Sequence, residues 1–242
     1  MARPRLSVAL VGPDGAGKST ISARLARAAL PAPVKTIYMG VNLEASTLLL
    51  PTTRLLLAAK RARGGRPDLV ASSLRDVGDP PAAPAGRGAA LRSTARMGVW
   101  MTEEWLRQLV ALGHGLRGRI VVFDRHFLLD YYHADVASGA AGPAGPTGGP
   151  RRRGAAQRLH GWMLQRVYPR PDLVILLDAP AEVLHARKPE ATVAWLEQRR
   201  KQYLELAPLV PEFVVVDVDR PLDAAVSEVV AAIESSWKAK NA

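Results

Sequence analysis

The chain has 242 residues, 48% hydrophobic and 23% charged, with no cysteine and a formal net charge of +11. This suits one sizeable α/β domain, and the lack of cysteine excludes disulfides and Cys-based zinc or iron–sulfur sites. No stretch approaches the roughly 18–20 apolar residues of a membrane span, and the first apolar run, Leu6 to Val11, is too short for a signal peptide, so a cytoplasmic protein without a membrane partner is expected. The basic excess points to an anionic partner, and nucleic acid, an acidic membrane surface or nucleotide phosphates would each satisfy it.

In chain order, Leu6–Val11 (LSVALV) reads as a strand buried on both faces of a parallel sheet. A glycine-rich loop follows, then a helix from Lys18 to Leu30 stopped by Pro31 and Pro33. Val34–Met39 is a second strand, closed by Gly40. Glu44–Arg63 is Leu- and Ala-rich and reads as a helix broken or kinked at Pro51. Residues 64–88 collect Gly, Pro, Asp and Ala without period and read as a long loop. Ala89–His114 carries Leu91, Met97, Met101, Trp105 and Leu109 at helical spacing. Ile120–Phe123, Leu173–Leu177 and Phe213–Val216 are further strands, each followed by an acidic residue. Residues 137–154 are a low-complexity Gly/Ala/Pro segment ending in Arg151-Arg152-Arg153, with too little apolar surface to order itself. Strands alternating with helices mean a parallel sheet covered on both faces. The expected organisation is one domain over residues 1–242, with loop-rich insertions at about 64–88 and 137–154.

Three motifs carry chemistry. Gly12-Pro13-Asp14-Gly15-Ala16-Gly17-Lys18-Ser19-Thr20 has the G-x-x-x-x-G-K-[ST] form between a strand and a helix. Its glycines let backbone N–H groups converge on phosphate at a helix N-terminus. Lys18 is then expected on the β- and γ-phosphates of ATP and the Ser19 hydroxyl on Mg2+. Asp124-Arg125-His126 ends the third strand, where a carboxylate can orient the metal and an arginine can meet phosphoryl oxygens bidentately. Arg187-Lys188-Pro189-Glu190 could close over ATP and supply charge to the transition state. Trp100, Trp105 and Trp162 read as core residues and Glu103-Glu104 as a solvated helix face. His133 with Asp130 and Asp135 is too loose a trio to expect a metal other than magnesium.

Taken together, these residues resemble the thymidylate kinase family of nucleoside-monophosphate kinases. The loop follows the family's G-x-D-G-x-G-K-S-T form, with Asp14 at the distinguishing position, and Asp124-Arg125-His126 matches its D-R-[YH] signature. Pro171-Asp172-Leu173 to Leu177-Asp178, Glu182–Arg187, Arg200–Ala207 and Val214–Asp217 resemble its fourth strand, lid entry, following helix and closing strand.

The resemblance implies a three-layer α/β/α P-loop NTPase fold with a five-stranded parallel sheet and a kinase using ATP and Mg2+. It implies ATP binding by Gly12 through Thr20, by Arg187 and by the loop after Asp217. It assigns the acceptor to Asp14, Arg96 and Arg125, the metal to Ser19 and Asp124, and catalysis to Lys18, Asp124, Arg125 and Arg187, of which Lys18, Arg125 and Arg187 would balance the charge. A nucleoside monophosphate, best dTMP, is the implied acceptor.

Two departures keep other readings open. The Arg-Glu-Pro-Gly-Gly stretch usual after the second strand is replaced by Tyr38-Met39-Gly40-Val41-Asn42-Leu43, and the lid is short and poor in arginine. Phosphorylation of a hydroxyl on a sugar or other metabolite, and a nucleotide-dependent switch or nucleic-acid-binding ATPase, are the alternatives. Homodimerisation is also open.

Overall fold

The computed structural model describes residues 5–40, 87–133, 141–144, 150–152 and 155–241, with two isolated positions at 58 and 62. For 87–96, 131, 141–144, 150–152 and 155–157 only the backbone is described. The readings on Glu44–Arg63 (positions 58 and 62 aside), on Asp135 and on most of 64–88 lie outside these residues.

The chain divides into two compact units. The first holds a five-stranded, all-parallel sheet in the order β2-β3-β1-β6-β7. Its strands are β1 (Leu6–Val11), β2 (Val34–Tyr38), β3 (Ile120–Asp124), β6 (Leu173–Asp178) and β7 (Glu212–Asp217). These are the five strands expected from sequence. Central β1 aligns Leu6 with Ile120 and Leu10 with Asp124 on one side, and Val11 with Leu176 on the other. All of β3 and nearly all of β1 and β6 are buried, because helices cover both faces. Their apolar runs therefore show no alternation.

Helix α1 (Lys18–Leu25) is shorter than the expected Lys18–Leu30; it closes in a turn at Ala26–Ala28 before the prolines. The C-terminal helix, Leu222–Asn241, buries Ala225, Val229 and Ile233, one residue per turn, and packs against α1 and the sheet. Lys240 near its end pairs with Asp172, which also accepts hydrogen bonds from the Ser7 amide (2.8 Å) and hydroxyl (2.7 Å). This latch ties the last helix to the edge of the sheet opposite the glycine loop. Two other helices of this unit matter below: Ala181–Arg187 after β6, and Val193–Leu204, whose N-cap Thr192 accepts from the Trp195 amide.

The second unit includes the N-terminal part of helix α2 (Arg87–Leu116) and the helix Ala155–Arg166. Here Glu103 and Glu104, expected on a solvated face, are both 1% exposed. Glu104 Oε2 lies 3.0 Å from His160 Nε2, and Arg107 donates to the Gly40 carbonyl at 3.2 Å. The turn is polar yet buried because its partners come from distant sequence. Trp100 is core as expected, tilted against His160, and Trp105 meets Tyr168 edge-on. Trp162 is not core: it is 54% exposed. Within 137–154, where composition suggests no regular structure, Ala141–Ala144 (β4) and Pro150–Arg152 (β5) pair as an antiparallel hairpin.

Candidate active site

Parallel strands put all their C-terminal ends on one edge, and the expected chemistry collects there. β1 runs into the loop Gly12–Gly17, whose backbone takes positive φ at Gly12, Gly15 and Gly17. A Cβ on Gly12 would sit 2.4 Å from the Leu177 carbonyl oxygen, and one on Gly15 would sit 2.4 Å from that of Leu184. Only glycine lets the loop thread between β6 and the helix after it. Gly12→Ala or Gly15→Ala is therefore expected to cost about 1–3 kcal/mol. Each should also abolish the rise in thermal midpoint that Mg-ATP gives the wild type, as thermal unfolding with and without nucleotide would measure.

Gly17, in the left-handed region, caps α1, so Lys18, Ser19 and Thr20 form its first turn. Lys18 is buried, and its ammonium donates to the Gly12 and Pro13 carbonyls, both at 2.7 Å. Burial, and next the Arg125 guanidinium, push its pKa down to about 7, against the pull of Asp14, Asp130 and Asp124.

The Ser19 hydroxyl donates to Asp124 Oδ2 at 2.8 Å. Asp124 Oδ1 is buried and has no hydrogen-bond partner among the described residues. A hydroxyl beside a carboxylate with a spare oxygen, at a phosphate loop, is an all-oxygen donor set that fits Mg2+.

Arg125 follows directly. Its amide donates to the Leu10 carbonyl at 3.0 Å, extending the β1–β3 ladder by one bond, and its φ of 72° turns the chain sharply. The turn aims the guanidinium at the loop, where Nη2 donates to Asp14 Oδ1 at 2.8 Å. Burial opposes ionisation of Asp14, but Arg125, Lys18 and Lys188 overcome it and hold the carboxyl well below the usual range. Burial likewise disfavours the Arg125 cation, and Asp130 and Asp14 reverse that, raising its pKa. His126, by contrast, is core: it packs edge-on against Phe123, and burial pushes its pKa down to about 3.

The structure thus brings Asp14, Lys18, Ser19, Asp124 and Arg125 together. Arg187 lies 3.8 Å from Asp219, in the turn after Asp217 that was expected to line the adenine. The charge of its neighbour Lys188 helps to keep Asp14 ionised. For Arg96 only the backbone is described, within α2.

Sequence reasoning missed two groups. Arg200 forks onto both oxygens of Asp178 at the end of β6, at 2.7 and 2.8 Å. Asp130, considered only as part of a metal trio, instead accepts from the Tyr203 hydroxyl at 2.6 Å and, through its carbonyl, from Arg199 at 2.8 Å. The available signal was Arg199 and Tyr203 one turn apart on a polar helix; their partner lies 69 or more residues away.

This architecture is similar to that of a solved deoxyadenosine kinase from M. mycoides, a structure with the products dCMP and a flexible dCDP bound. The superposition has a TM-score of 0.52 over 95% of this chain and 100% of that one, at 15% identity. The chain shares the fold of that protein. In sequence the chain is similar to a probable thymidylate kinase of Archaeoglobus fulgidus, 34% identical over 125 residues. That match covers 49% of this chain and 55% of the relative, so the chain spans about half the length of the curated protein it matches. No protein-family model matches. On these comparisons the chain is similar to a probable thymidylate kinase over half its length and shares the fold of a solved deoxyadenosine kinase. Among the described residues no helix is long and apolar enough to cross a membrane.

Proposed function

We propose that the protein is an ATP-dependent kinase that transfers the γ-phosphoryl group to a nucleoside monophosphate, with dTMP the best single acceptor. The observation that carries this reading is the Asp14–Arg125 pair, a carboxylate and a guanidinium in contact beside the phosphate-loop lysine. A loop that only held ATP would need neither; together they offer an anchor for a sugar hydroxyl and one for an acceptor phosphate.

In this reading Lys18 holds the β- and γ-phosphates against the loop amides. Arg125 orients the acceptor phosphate in line, and its oxygen forms the new P–O bond as the β–γ bridging bond breaks toward ADP. Ser19 and Asp124 would hold Mg2+, which when bound neutralises charge on the phosphate oxygens. Asp14, kept ionised far below neutral pH, is a poor base; an already ionised phosphate needs none. Arg187 and Lys188, at the end of the helix Ala181–Arg187, supply positive charge over the nucleotide.

The test is ADP formation with Mg-ATP across nucleoside monophosphates, nucleosides and sugars. We expect the highest turnover with dTMP and a fall of roughly 10²-fold or more in Asp124→Asn. No ADP above background with any nucleoside monophosphate would remove the reading. The altered Tyr38–Leu43 stretch and a structural neighbour named as a deoxyadenosine kinase favour one second reading, a nucleoside hydroxyl as acceptor. The nucleoside arm of the assay decides between them.

A further inference from the structure

Asp178 and Arg200 close a loop of chain that carries Arg187 and Lys188. Leaving β6 at Asp178, the chain runs through the helix Ala181–Arg187, turns through residues 188–192 and comes back as the helix Val193–Leu204. The two helices pack against each other, and the His185 ring fixes the turn between them, with Nδ1 2.8 Å from the Ala191 carbonyl oxygen. Arg200 then reaches back over 22 residues and forks onto Asp178, Nε to Oδ1 at 2.7 Å and Nη2 to Oδ2 at 2.8 Å. Two parallel charge-assisted bonds set both the distance and the orientation of the returning helix.

This closed loop abuts the phosphate loop at both of its constrained glycines. Leu177, next to Asp178, presents the carbonyl that excludes a Cβ at Gly12, and Leu184, within the first helix, presents the one that excludes a Cβ at Gly15. The Asp178 carbonyl accepts from the Val218 amide at 2.8 Å, which joins the same corner to the turn after β7, and Arg187 meets that turn at Asp219. Asp178 therefore holds the returning helix by its side chain and the turn after β7 by its backbone, while its neighbour Leu177 bounds the phosphate loop.

We infer that Asp178 and Arg200 are positioning residues for the nucleotide: their fork closes the base of the helical hairpin, so that the helix Ala181–Arg187 stays seated on the phosphate loop and keeps Arg187 and Lys188 over ATP. This rests on the nucleotide half of the phosphotransfer reading and adds to it a pair of residues outside the three sequence motifs. Opening the fork loosens the helix that bounds Gly15, so the loss falls on nucleotide binding more than on the acceptor.

The experiment uses the full chain with Mg-ADP as the probe in calorimetry, and adds steady-state constants for Mg-ATP and for the acceptor that the wild type turns over best. Arg200→Gln removes both the charge and the fork. Its Kd for Mg-ADP and its KM for Mg-ATP should rise on the order of 10-fold, with the acceptor KM at saturating Mg-ATP within about 2-fold. Asp178→Asn should behave alike, and the double variant should lose no more than the worse single variant, because both changes open the same link. Arg200→Lys keeps the charge without the fork and should fall between. Glu197→Gln is the control. Glu197 accepts from Arg200 Nη1 at 2.6 Å from the same helix, so it does not close the loop, and its loss should leave Mg-ADP binding unchanged. A thermal midpoint lowered by more than about 10 °C in Arg200→Gln hands the test to Arg200→Lys, whose affinity for Mg-ADP must still fall. Unchanged Mg-ADP affinity, equal losses for nucleotide and acceptor, or losses that multiply in the double variant would each overturn the inference. So would a Glu197→Gln protein as weak as Arg200→Gln. A wild type that binds Mg-ADP yet turns over no acceptor would remove the phosphotransfer reading, and the Mg-ADP affinities would still decide the inference. A wild type that binds no Mg-ADP would overturn both.

Discussion

Lys18→Met is expected to reduce phosphoryl transfer by roughly 10³-fold while leaving the ligand-free protein at least as stable as the wild type near pH 7. The first half follows from the proposed function, in which the ammonium now held by the loop carbonyls would meet the phosphates of bound ATP. The second half follows from its burial. A pKa pushed from 10.5 to about 7 means that the fold disfavours the charged form. That penalty is on the order of 3–5 kcal/mol when the group is fully protonated.

The sign follows from linkage. From about pH 7 up to 10.5 the unfolded chain binds the proton more tightly than the native one, so this group's contribution makes stability rise with pH across that window. The methionine variant should lose that rise, as denaturant unfolding between pH 6.5 and 9.5 would reveal. ATP phosphates restore the ammonium, so nucleotide binding near pH 8 should take up a proton in the wild type and not in the variant. Calorimetry in buffers of different ionisation enthalpy reads this directly. Unaltered turnover in a well-folded Lys18→Met protein would remove the central claim.

Arg125→Ala should have the second large effect. Truncating one partner of a buried charge-assisted pair typically costs about 2–5 kcal/mol, or roughly 30-fold to several thousand-fold in affinity. For a nucleoside monophosphate that loss should appear in acceptor binding. For a hydroxyl acceptor it should appear in turnover with little change in affinity. The variant should also be less stable at neutral pH, because Asp14 keeps its burial but loses its main partner.

The acid limb carries a further signature. A carboxyl held below its ordinary 3.8 contributes stability that is complete above that value and is lost as pH falls through the lower native value. In Arg125→Ala that acid-dependent loss should shrink. If Arg125→Ala and wild type share one acid unfolding profile, the Asp14–Arg125 pair does not carry the energy assigned to it.

Local pattern was enough for the sheet and the phosphate loop. Five apolar runs, each ending in glycine or an acidic residue, read as the strands of one parallel sheet, and such strands share one functional edge. The G-x-D-G-x-G-K-S-T run specifies its own geometry, since Gly12 and Gly15 occupy places where a Cβ would collide with carbonyls of β6 and the next helix.

What local pattern could not supply was pairing over distance. Asp130, Tyr203 and Arg199 are unremarkable in isolation, and nothing in their spacing says that one carboxylate will receive both partners. Glu103 and Glu104 suggest a wet helix face because charged residues are seldom fully buried, and the rule fails where His160 arrives from another helix to pair with Glu104. His126 stands in a chemical motif yet packs as core, since the turn at Arg125 sends adjacent side chains to opposite environments. Sequence alone determined which strand ends carry the glycine loop and the Asp124-Arg125 pair. Tertiary structure decided which charges face one another, because burial and partner choice are set by residues far apart in the chain.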